Sequence, residues 1–356
     1  MSAPKSWLQT LTGDTVVAAR LSDTAQFNDM LRVEAAYTHA CGAVGKIDAT
    51  LAITAAQAIE AVTLDQTELV RRAAIDGVPV PALVDQIKAQ LAKALHPAIH
   101  TGLTSQDVTD TALVLALRDI LHDFETRIAR LQDGFMRLQS SFGAGQMMGR
   151  TRMQAALPIE VSHRIAQWQA PWPDHLKRLS EMRTRVIKLQ LGGPVGDGQS
   201  FDGFASALAQ DMAQQLGLHL APMSWHSRRD TYCELANWLS LVTGSLGKIG
   251  TDLALMAQQG IDDVVLKGGG SSSAMAHKSN PVRAEVLVAL ARDTAIQLSA
   301  MALTMEHENE RSGAAWTLEW LVLPRMLENT GAALSTGTAL LDNITQLGQP
   351  KGVKKL

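Results

Sequence analysis

The residues with the greatest chemical potential lie in one glycine- and serine-rich segment, residues 267–281. It reads Lys-Gly-Gly-Gly-Ser-Ser-Ser-Ala-Met-Ala-His-Lys-Ser-Asn-Pro. Hydroxyls, a cation and backbone N–H groups beside the start of a helix can bind an anion, and a glycine-rich stretch can close over it. The composition alone equally fits a flexible linker between two helices. Other parts of the sequence must decide between these interpretations.

Two further segments carry polar side chains that core packing does not require. Residues 100–107 read His-Thr-Gly-Leu-Thr-Ser-Gln-Asp and precede a helical pattern, so hydroxyls fall at a helix N-terminus, where backbone N–H groups are free. Residues 149–158 read Gly-Arg-Thr-Arg-Met-Gln-Ala-Ala-Leu-Pro, which suggests polar groups held in an apolar setting. A plain helix cap and ordinary surface salt bridges are the respective structural alternatives.

Three apolar stripes predict the long helices that would position these segments. They run from Asp107 to about Ser140, from Glu234 to Gln259, and from Leu287 to Met301, with apolar residues at steps of three and four. The first helix would be about 45 Å long at ~1.5 Å per residue. Stripes close to a 3.5-residue repeat predict near-parallel helices in a bundle. Long helices of this kind often complete their core with other subunits, so we expect a homo-oligomer, with an elongated monomer as the alternative.

Composition narrows the class of protein. The chain has 356 residues and a net charge of −3, which disfavours a nucleic-acid surface. Cys41 and Cys233 are far apart and are expected to be free thiols, and the ten histidines show no metal-ligand spacing. The N-terminus lacks an apolar signal region and no apolar run is expected to reach membrane length, so the sequence predicts a cytoplasmic protein.

Taken together, the three segments resemble the signature regions of the fumarase/aspartase superfamily, in the same chain order. The matching residues are Thr-Ser-x-Asp at 104–107, Gly-Arg-Thr-x-x-Gln at 149–154 and Ser-Ser-x-Met-x-x-Lys-x-Asn-Pro at 272–281. The resemblance implies an all-α long-helix bundle that assembles a twenty-helix core in a homotetramer. It also implies composite active sites to which three subunits each contribute one region.

Within the superfamily, the sequence is most similar to the branch of bacterial 3-carboxy-cis,cis-muconate cycloisomerases. Residues 100–112, 225–230 (Trp-His-Ser-Arg-Arg-Asp) and 310–320 (Glu-Arg-Ser-Gly-Ala-Ala-Trp-Thr-Leu-Glu-Trp) carry this likeness. Such enzymes are cofactor-free and close a lactone ring in protocatechuate breakdown. The implied division of the chain is an N-terminal helical domain over 1–95, a central bundle over 96–345 and a short tail over 346–356, with the usual C-terminal domain largely missing.

The sequence departs from the family pattern within the glycine- and serine-rich segment and at Arg152. Ser271 replaces a usual Gly, Ala276 a usual Pro, and Ser279 a commonly basic residue. Members that release an amine or water commonly have histidine at the position of Arg152, because a poor leaving group needs a proton. A carboxylate, with a pKa near ~4, is already a stable anion. An arginine fork that holds a carboxylate therefore favours a lactonising enzyme.

The resemblance assigns roles to particular residues. Ser273 is expected to donate a proton to carbon, and to act as the base in the reverse direction, beside Ser272; His100 or His277 could serve as an acid. The residues expected to bind the carboxylates of a small polycarboxylate are Thr104, Ser105, Arg152, Gln154, Lys278 and Asn280, with Arg229, Arg283 and Arg311 as weaker candidates. No cofactor, metal, nucleic acid or membrane is expected.

Three other functions stay open at this point. The substrate could carry a sulfonate in place of a carboxylate. The chain could be a superfamily lyase that releases fumarate from an amino-linked succinate, of the adenylosuccinate or argininosuccinate type. It could also be a helical assembly protein that kept the scaffold without activity.

Overall fold

The computed structural model describes residues 6–271, 275 and 278–349, and the all-α expectation is confirmed in this part of the chain. Six helices precede the first long one. They are α1 (Trp7–Thr12), α2 (Thr15–Arg20), α3 (Asp23–Ala43), α4 (Ala49–Glu60), α5 (Gln66–Asp76) and α6 (Val80–Gln90). Ser22 and Asp48 cap α3 and α4 through their side chains, and Gly77 ends α5 in the left-handed conformation that glycine adopts freely.

The long helices form the centre of the molecule, as the apolar stripes predicted. The remaining helices are α7 (Ser105–Phe142), α8 (Val161–Gln169), α9 (Pro171–Val186), α10 (Ala205–Leu216), α11 (Asp230–Met256), α12 (Val282–Leu303) and α13 (Gly313–Asp342). The stripe of α7 is buried from Leu117 to Leu138, and that of α11 from Leu235 to Met256. At ~1.5 Å per residue, the 38 residues of α7 span about 57 Å, so this helix sets the length of the bundle.

Contacts at the ends of the helices give their directions. Arg229, directly before α11, and Glu319, in the second turn of α13, form one ion-pair network with Asp110 near the start of α7. The three helices α7, α11 and α13 therefore begin at the same end of the bundle, which we call the near end. Helix α12 connects α11 to α13 and runs the opposite way. The opposite end of the bundle, where α7 and α11 finish, is called the far end.

Short strands, which the sequence did not predict, decorate the far end. They are β1 (Gln146–Thr151), β2 (Gln154–Glu160), β3 (Val264–Leu266), β4 (Gly270–Ser271), β5 (Ser279–Asn280) and β6 (Ile344–Leu347). They form three antiparallel pairs, β1–β2, β3–β6 and β4–β5. The segments are short and interrupted by turns, so period-two alternation has little length over which to show.

Two composition-based expectations meet different outcomes. Cys41 and Cys233 are free, as expected, with Cys41 buried. The expectation that no apolar run reaches membrane length was wrong, because α12 has 22 residues and contains an 18-residue stretch with a mean hydropathy of 1.4. By length and composition alone, α12 could cross a membrane. The core helix of a soluble protein can meet the same two criteria.

Candidate active site

At the near end, Asp107 organises the first signature region. Its carboxylate accepts hydrogen bonds from the backbone N–H groups of Gly192 (2.8 Å), Gly193 (2.9 Å) and Thr104 (3.1 Å). It also lies 2.9 Å from Nε2 of His226, and it is 1% exposed. Asp107 therefore has its acceptor sites filled within the chain, and it fixes the start of α7 against residues 192–193 instead of reaching for a ligand.

Thr104 and Ser105 lie at the start of α7, as predicted. Thr104 is the N-cap and Ser105 the first helical residue, and both are partly exposed. Their hydroxyls thus sit beside free backbone N–H groups, at the positive end of a long helix dipole. This arrangement favours an anion, and the rigid anchoring by Asp107 holds it in place.

Arg311 joins the near end from a distant part of the sequence. Its Nε donates to Oε1 of Gln106 (2.7 Å), and its Nη2 donates to the carbonyl of Pro194 (3.2 Å). Gln106 is buried and also donates to Asp110 and to the carbonyl of His226. Arg311 is thus aimed at the first signature region, which keeps it among the candidates for carboxylate binding.

The expectation that Arg229 binds substrate does not fit its position. It is 1% exposed, and its guanidinium donates to both carboxylate oxygens of Asp110 (2.7 and 3.1 Å) and of Glu319 (2.8 and 2.5 Å). Burial alone would lower the pKa of Arg229, but the two carboxylates raise it well above its usual value. Four of the five N–H donors of Arg229 are used in this buried network, and its burial keeps the side chain away from a ligand.

At the far end, the second signature region forms the β1–β2 hairpin. Thr151 pairs with Gln154, so Arg152 and Met153 make up a two-residue turn. Both have positive φ, 47° and 67°, which asparagine and glycine adopt more readily than arginine or methionine. Arg152 and Gln154 are exposed and have no side-chain partner in the described part of the chain.

The described part of the chain does not provide the apolar surroundings expected for this region. Met153 and Leu157 are 73% and 74% exposed, whereas Met147 is buried. Arg150, two residues before Arg152, forms an ion pair with Asp263 (2.9 Å), which ties the hairpin to the segment before β3. The surface-salt-bridge alternative therefore holds for Arg150, and Arg152 is left at the tip without an internal role.

The described ends of the third signature region are paired with each other as strands β4 and β5. Gly270 pairs with Asn280 and Ser271 with Ser279. A Cβ on Gly269 would lie 2.0 Å from Ser279 Oγ and 3.1 Å from the carbonyl oxygen of Asn280, so a larger residue here would force the Ser279 side chain to move. Lys278 is exposed and Asn280 partly exposed. Ser272, Ser273 and His277 lie outside the described residues.

Arg283 lies in the first turn of α12, next to this loop. A Cβ on Gly268 would be 3.7 Å from its Nη1, and the side chain is exposed. Arg283 therefore stays a candidate at the far end.

Within the described residues, one chain does not bring the three signature regions together. The first lies at the start of α7, and the second lies in the β1–β2 hairpin, which begins four residues after the end of α7, about 57 Å away at ~1.5 Å per residue. The third shares the far end with the second, since Asp263 pairs with Arg150 and Gln349 bridges to Gln146. Near-end groups can meet far-end groups only across two molecules.

Two near-end residues were missed by the sequence reasoning. Glu34 contacts His100 and His226 contacts Asp107. A signal existed for Glu34, since it falls in the apolar stripe of α3 between Met30 and Tyr37, where a carboxylate has no packing reason to be. His226 falls within the segment 225–230 that carried the family likeness, but it lies outside the periodic helices, and no role was assigned to it.

Comparison with known proteins identifies the family. A family model described as Lyase matches residues 12–294. The chain belongs to this family. As a lyase-family protein it shares 34% identity with 3-carboxy-cis,cis-muconate cycloisomerase of Acinetobacter baylyi, over 88% of this chain and 71% of that protein.

Two further similar proteins are named for different activities. N-acetyl-S-(2-succino)cysteine lyase of Enterococcus italicus is 30% identical, over 91% of this chain and 71% of that protein. The crystal structure of 3-carboxy-cis,cis-muconate lactonizing enzyme from Pseudomonas putida superposes with a TM-score of 0.89 at 31% identity, covering 96% of this chain and 77% of that one. The expected superfamily is confirmed, and the chain is an enzyme of the lyase superfamily.

Proposed function

We propose that this lyase-family protein is a cofactor-independent cycloisomerase that converts 3-carboxy-cis,cis-muconate to a carboxymuconolactone. The observation that carries the proposal is Arg152, an arginine at a strained, exposed hairpin tip with no partner in the described part of the chain. Strained backbone at an exposed position is retained where the side chain has a use elsewhere. A guanidinium there suits a carboxylate that needs holding and not protonation.

The reaction needs no group beyond the chain's own residues. One substrate carboxylate oxygen adds to a carbon of the conjugated double bond, and negative charge builds on the neighbouring carboxylate as an enediolate. A proton is then delivered to the carbon next to that group, and water returns a proton to the donor. The attacking carboxylate loses its charge on becoming the lactone ester, so the ionised substrate takes up one proton, and the corresponding free acids are isomers. Ser273 is the proposed donor, and it is the base in the reverse direction, with Ser272 beside it.

Binding of the carboxylates is divided between the two ends of the bundle. Thr104, Ser105 and the start of α7 receive one carboxylate at the near end, with Arg311 alongside. The far-end groups that complete the site are Arg152, Gln154, Lys278 and Asn280, with Arg283 as a weaker candidate. Preorganised donors of this kind stabilise charge that develops during reaction, each by about 10²–10³ in rate.

The site requires association of several copies, and we propose a homotetramer. Helix α12 supports this, because only 28% of its most apolar stretch is buried within the chain. Ile296 and Leu303 on α12 are 69% and 60% exposed, and Leu321 on α13 is 70% exposed. Exposed apolar surface on this scale marks an interface. Light scattering after size-exclusion chromatography should give four times the chain mass; a monomer at all concentrations would contradict the composite site.

A fumarate-releasing lyase is the second candidate. It is favoured by the 30% identity to a relative named for a succino-cysteine adduct. A sulfonate-bearing muconate is a variant of the first proposal, and the Ser279 and Ala276 departures would fit a shifted substrate. These alternatives share the scaffold and differ in the bond that is made or broken.

One experiment separates the candidates. Synthetic 3-carboxy-cis,cis-muconate should lose its conjugated-diene ultraviolet absorbance when the enzyme is added, and the sulfonate analogue can be run beside it. S-(2-succinyl) and N-(2-succinyl) adducts should release no fumarate. Unchanged diene absorbance together with fumarate release would contradict the cycloisomerase proposal and establish the fumarate-releasing lyase.

A further inference from the structure

Side chains on one face of α3 form hydrogen bonds with residues 98–101, the segment that contains His100. Glu34, Tyr37 and Thr38 are spaced by three and four residues, so they share that face. The Tyr37 hydroxyl donates to the carbonyl of Thr101, and Thr38 Oγ1 donates to the carbonyl of Ala98 at 3.3 Å. Glu34 Oε1 lies 2.6 Å from Nδ1 of His100. Residues 98–101 are thus fixed from one helix on both sides of the histidine.

His100 itself has a backbone conformation that a histidine seldom adopts. Its φ is 57°, in the left-handed region. Such a conformation is strained and persists only where the surrounding contacts enforce it. The conformation turns the ring toward Glu34 while 20% of the side chain stays exposed.

The chemistry of the pair determines which ring nitrogen faces outward. An ionised carboxylate only accepts hydrogen bonds, so Nδ1 carries the proton and Nε2 is the remaining nitrogen. Glu34 is 0% exposed and its Oε2 has no hydrogen-bond partner in the described part of the chain. A buried carboxylate of this kind requires a positive partner, and among the described residues His100 is the one paired with it.

The surrounding charges act in the same direction. Burial lowers the pKa of His100, but the hydrogen bond and charge of Glu34 outweigh it and raise the pKa above its usual value. Asp107 on α7 adds to this rise, and Lys88 on α6 opposes it.

We propose that Glu34 is a positioning residue that holds His100 as a cationic ring whose Nε2–H is presented to a carboxylate of the substrate. The identification of the ligand as a polycarboxylate rests on the proposed function, whereas the interaction between Glu34 and His100 does not. In this arrangement His100 serves as a binding donor at the near end, which leaves proton delivery to the serine loop at the far end.

The test follows the His100 ring directly by NMR of histidine-labelled protein, with the His100 signals assigned by their loss in His100→Gln. In the wild type, His100 should titrate above pH 6.5 with its proton on Nδ1 in the neutral form. Glu34→Gln keeps an acceptor but removes the charge, and it should lower the titration midpoint by about one to three pH units. Tyr37→Phe removes the neighbouring hydrogen bond to the carbonyl of Thr101 without changing the charge, and it should leave the titration midpoint of His100 unchanged.

A binding arm uses propane-1,2,3-tricarboxylate as the probe, measured by calorimetry. Its affinity for the wild type should fall as pH rises through the His100 midpoint, and Glu34→Gln should weaken it about tenfold at neutral pH. Binding that is absent, or that ignores this titration, overturns the carboxylate role.

A wild-type His100 midpoint below 6.5 overturns the pairing even if neither Glu34→Gln nor Tyr37→Phe folds, and so does an equal midpoint shift in these two variants. Intact titration without loss of diene absorbance counts against the proposed function alone.

Discussion

The two ends of the bundle present opposite kinds of half-site. At the near end, polar groups are buried, paired and anchored: Asp107 accepts three backbone N–H groups, and Arg229 is shared between two carboxylates. At the far end, Arg152 and Lys278 stand exposed on a hairpin tip and a loop. The charged groups at the near end are paired within one chain, whereas Arg152 at the far end has no partner in the described part of the chain. We infer that each end supplies what the other lacks, across neighbouring copies.

The largest effect is expected at the far end, from Ser273→Ala. Removal of the proposed proton donor should lower kcat by about 10³ or more while the helical circular dichroism stays unchanged. Ser271→Ala, on the paired strand of the same loop, is the matched control and should retain near-wild-type turnover. Substantial activity in the Ser273 variant would reassign the proton donor and weaken the contrast between the ends.

At the near end, Arg229→Ala should act on stability. Removing one member of the buried network leaves Asp110 and Glu319 with uncompensated charge, at a cost of about 3–5 kcal/mol in the free energy of unfolding. The control is Arg228→Ala, since this neighbour is exposed and only loosely paired with Asp230, at 3.6 Å; it should change stability by less than about 0.5 kcal/mol. Urea unfolding measures both. Equal effects would remove the distinction between a buried structural arginine and an exposed one.

Arg152→Asn should separate activity from stability. Asparagine tolerates positive φ, so the free energy of unfolding should stay equal or rise by up to about 1 kcal/mol. The loss of a carboxylate-binding fork should lower kcat/KM by about 10²–10³. Met153→Asn relieves the adjacent strained residue in the same turn and should match the stability change with activity intact. If both variants lose activity alike, the hairpin shape matters and the guanidinium does not.

The sequence could predict the long helices but not the meaning of every charged residue. The stripes of α7 and α11 are long and regular, so helix type and boundaries followed within a few residues. The burial of Arg229 could not be inferred, because its partners Asp110 and Glu319 lie more than 80 residues away in the chain. The turn at Arg152 and Met153 was equally hidden, since neither residue type signals positive φ.

Sequence motifs predicted more of the candidate-site residues than local patterns of helix formation and packing did. Thr104 and Ser105 were placed correctly because a helix start has a local signature. Glu34 was overlooked because it lies far from any motif, although a carboxylate in an apolar stripe was visible. The separation of the near and far ends required the helix directions, which depend on contacts between distant segments.

The smallest effect expected is a pH dependence of stability from the near end. The pKa of His100 is raised in the folded chain, so the stabilisation is fully present below about pH 6.5, the unfolded value, and is lost as pH rises through the folded value. Urea midpoints measured across this range should decline in the wild type relative to His100→Gln. A decline toward acidic pH, attributable to His100, would mean that the ring is held neutral.

The most direct test of the two-ended account mixes two impaired variants, His100→Ala at the near end and Arg152→Ala at the far end. Each is unfolded and refolded alone and with the other, and diene loss with 3-carboxy-cis,cis-muconate is compared with the wild type. If a site draws these residues from different copies, random assembly leaves about a quarter of the sites with both residues intact. The account predicts recovery to about a quarter of wild-type activity in the mixture alone; a mixture no more active than the average of its two components would contradict it.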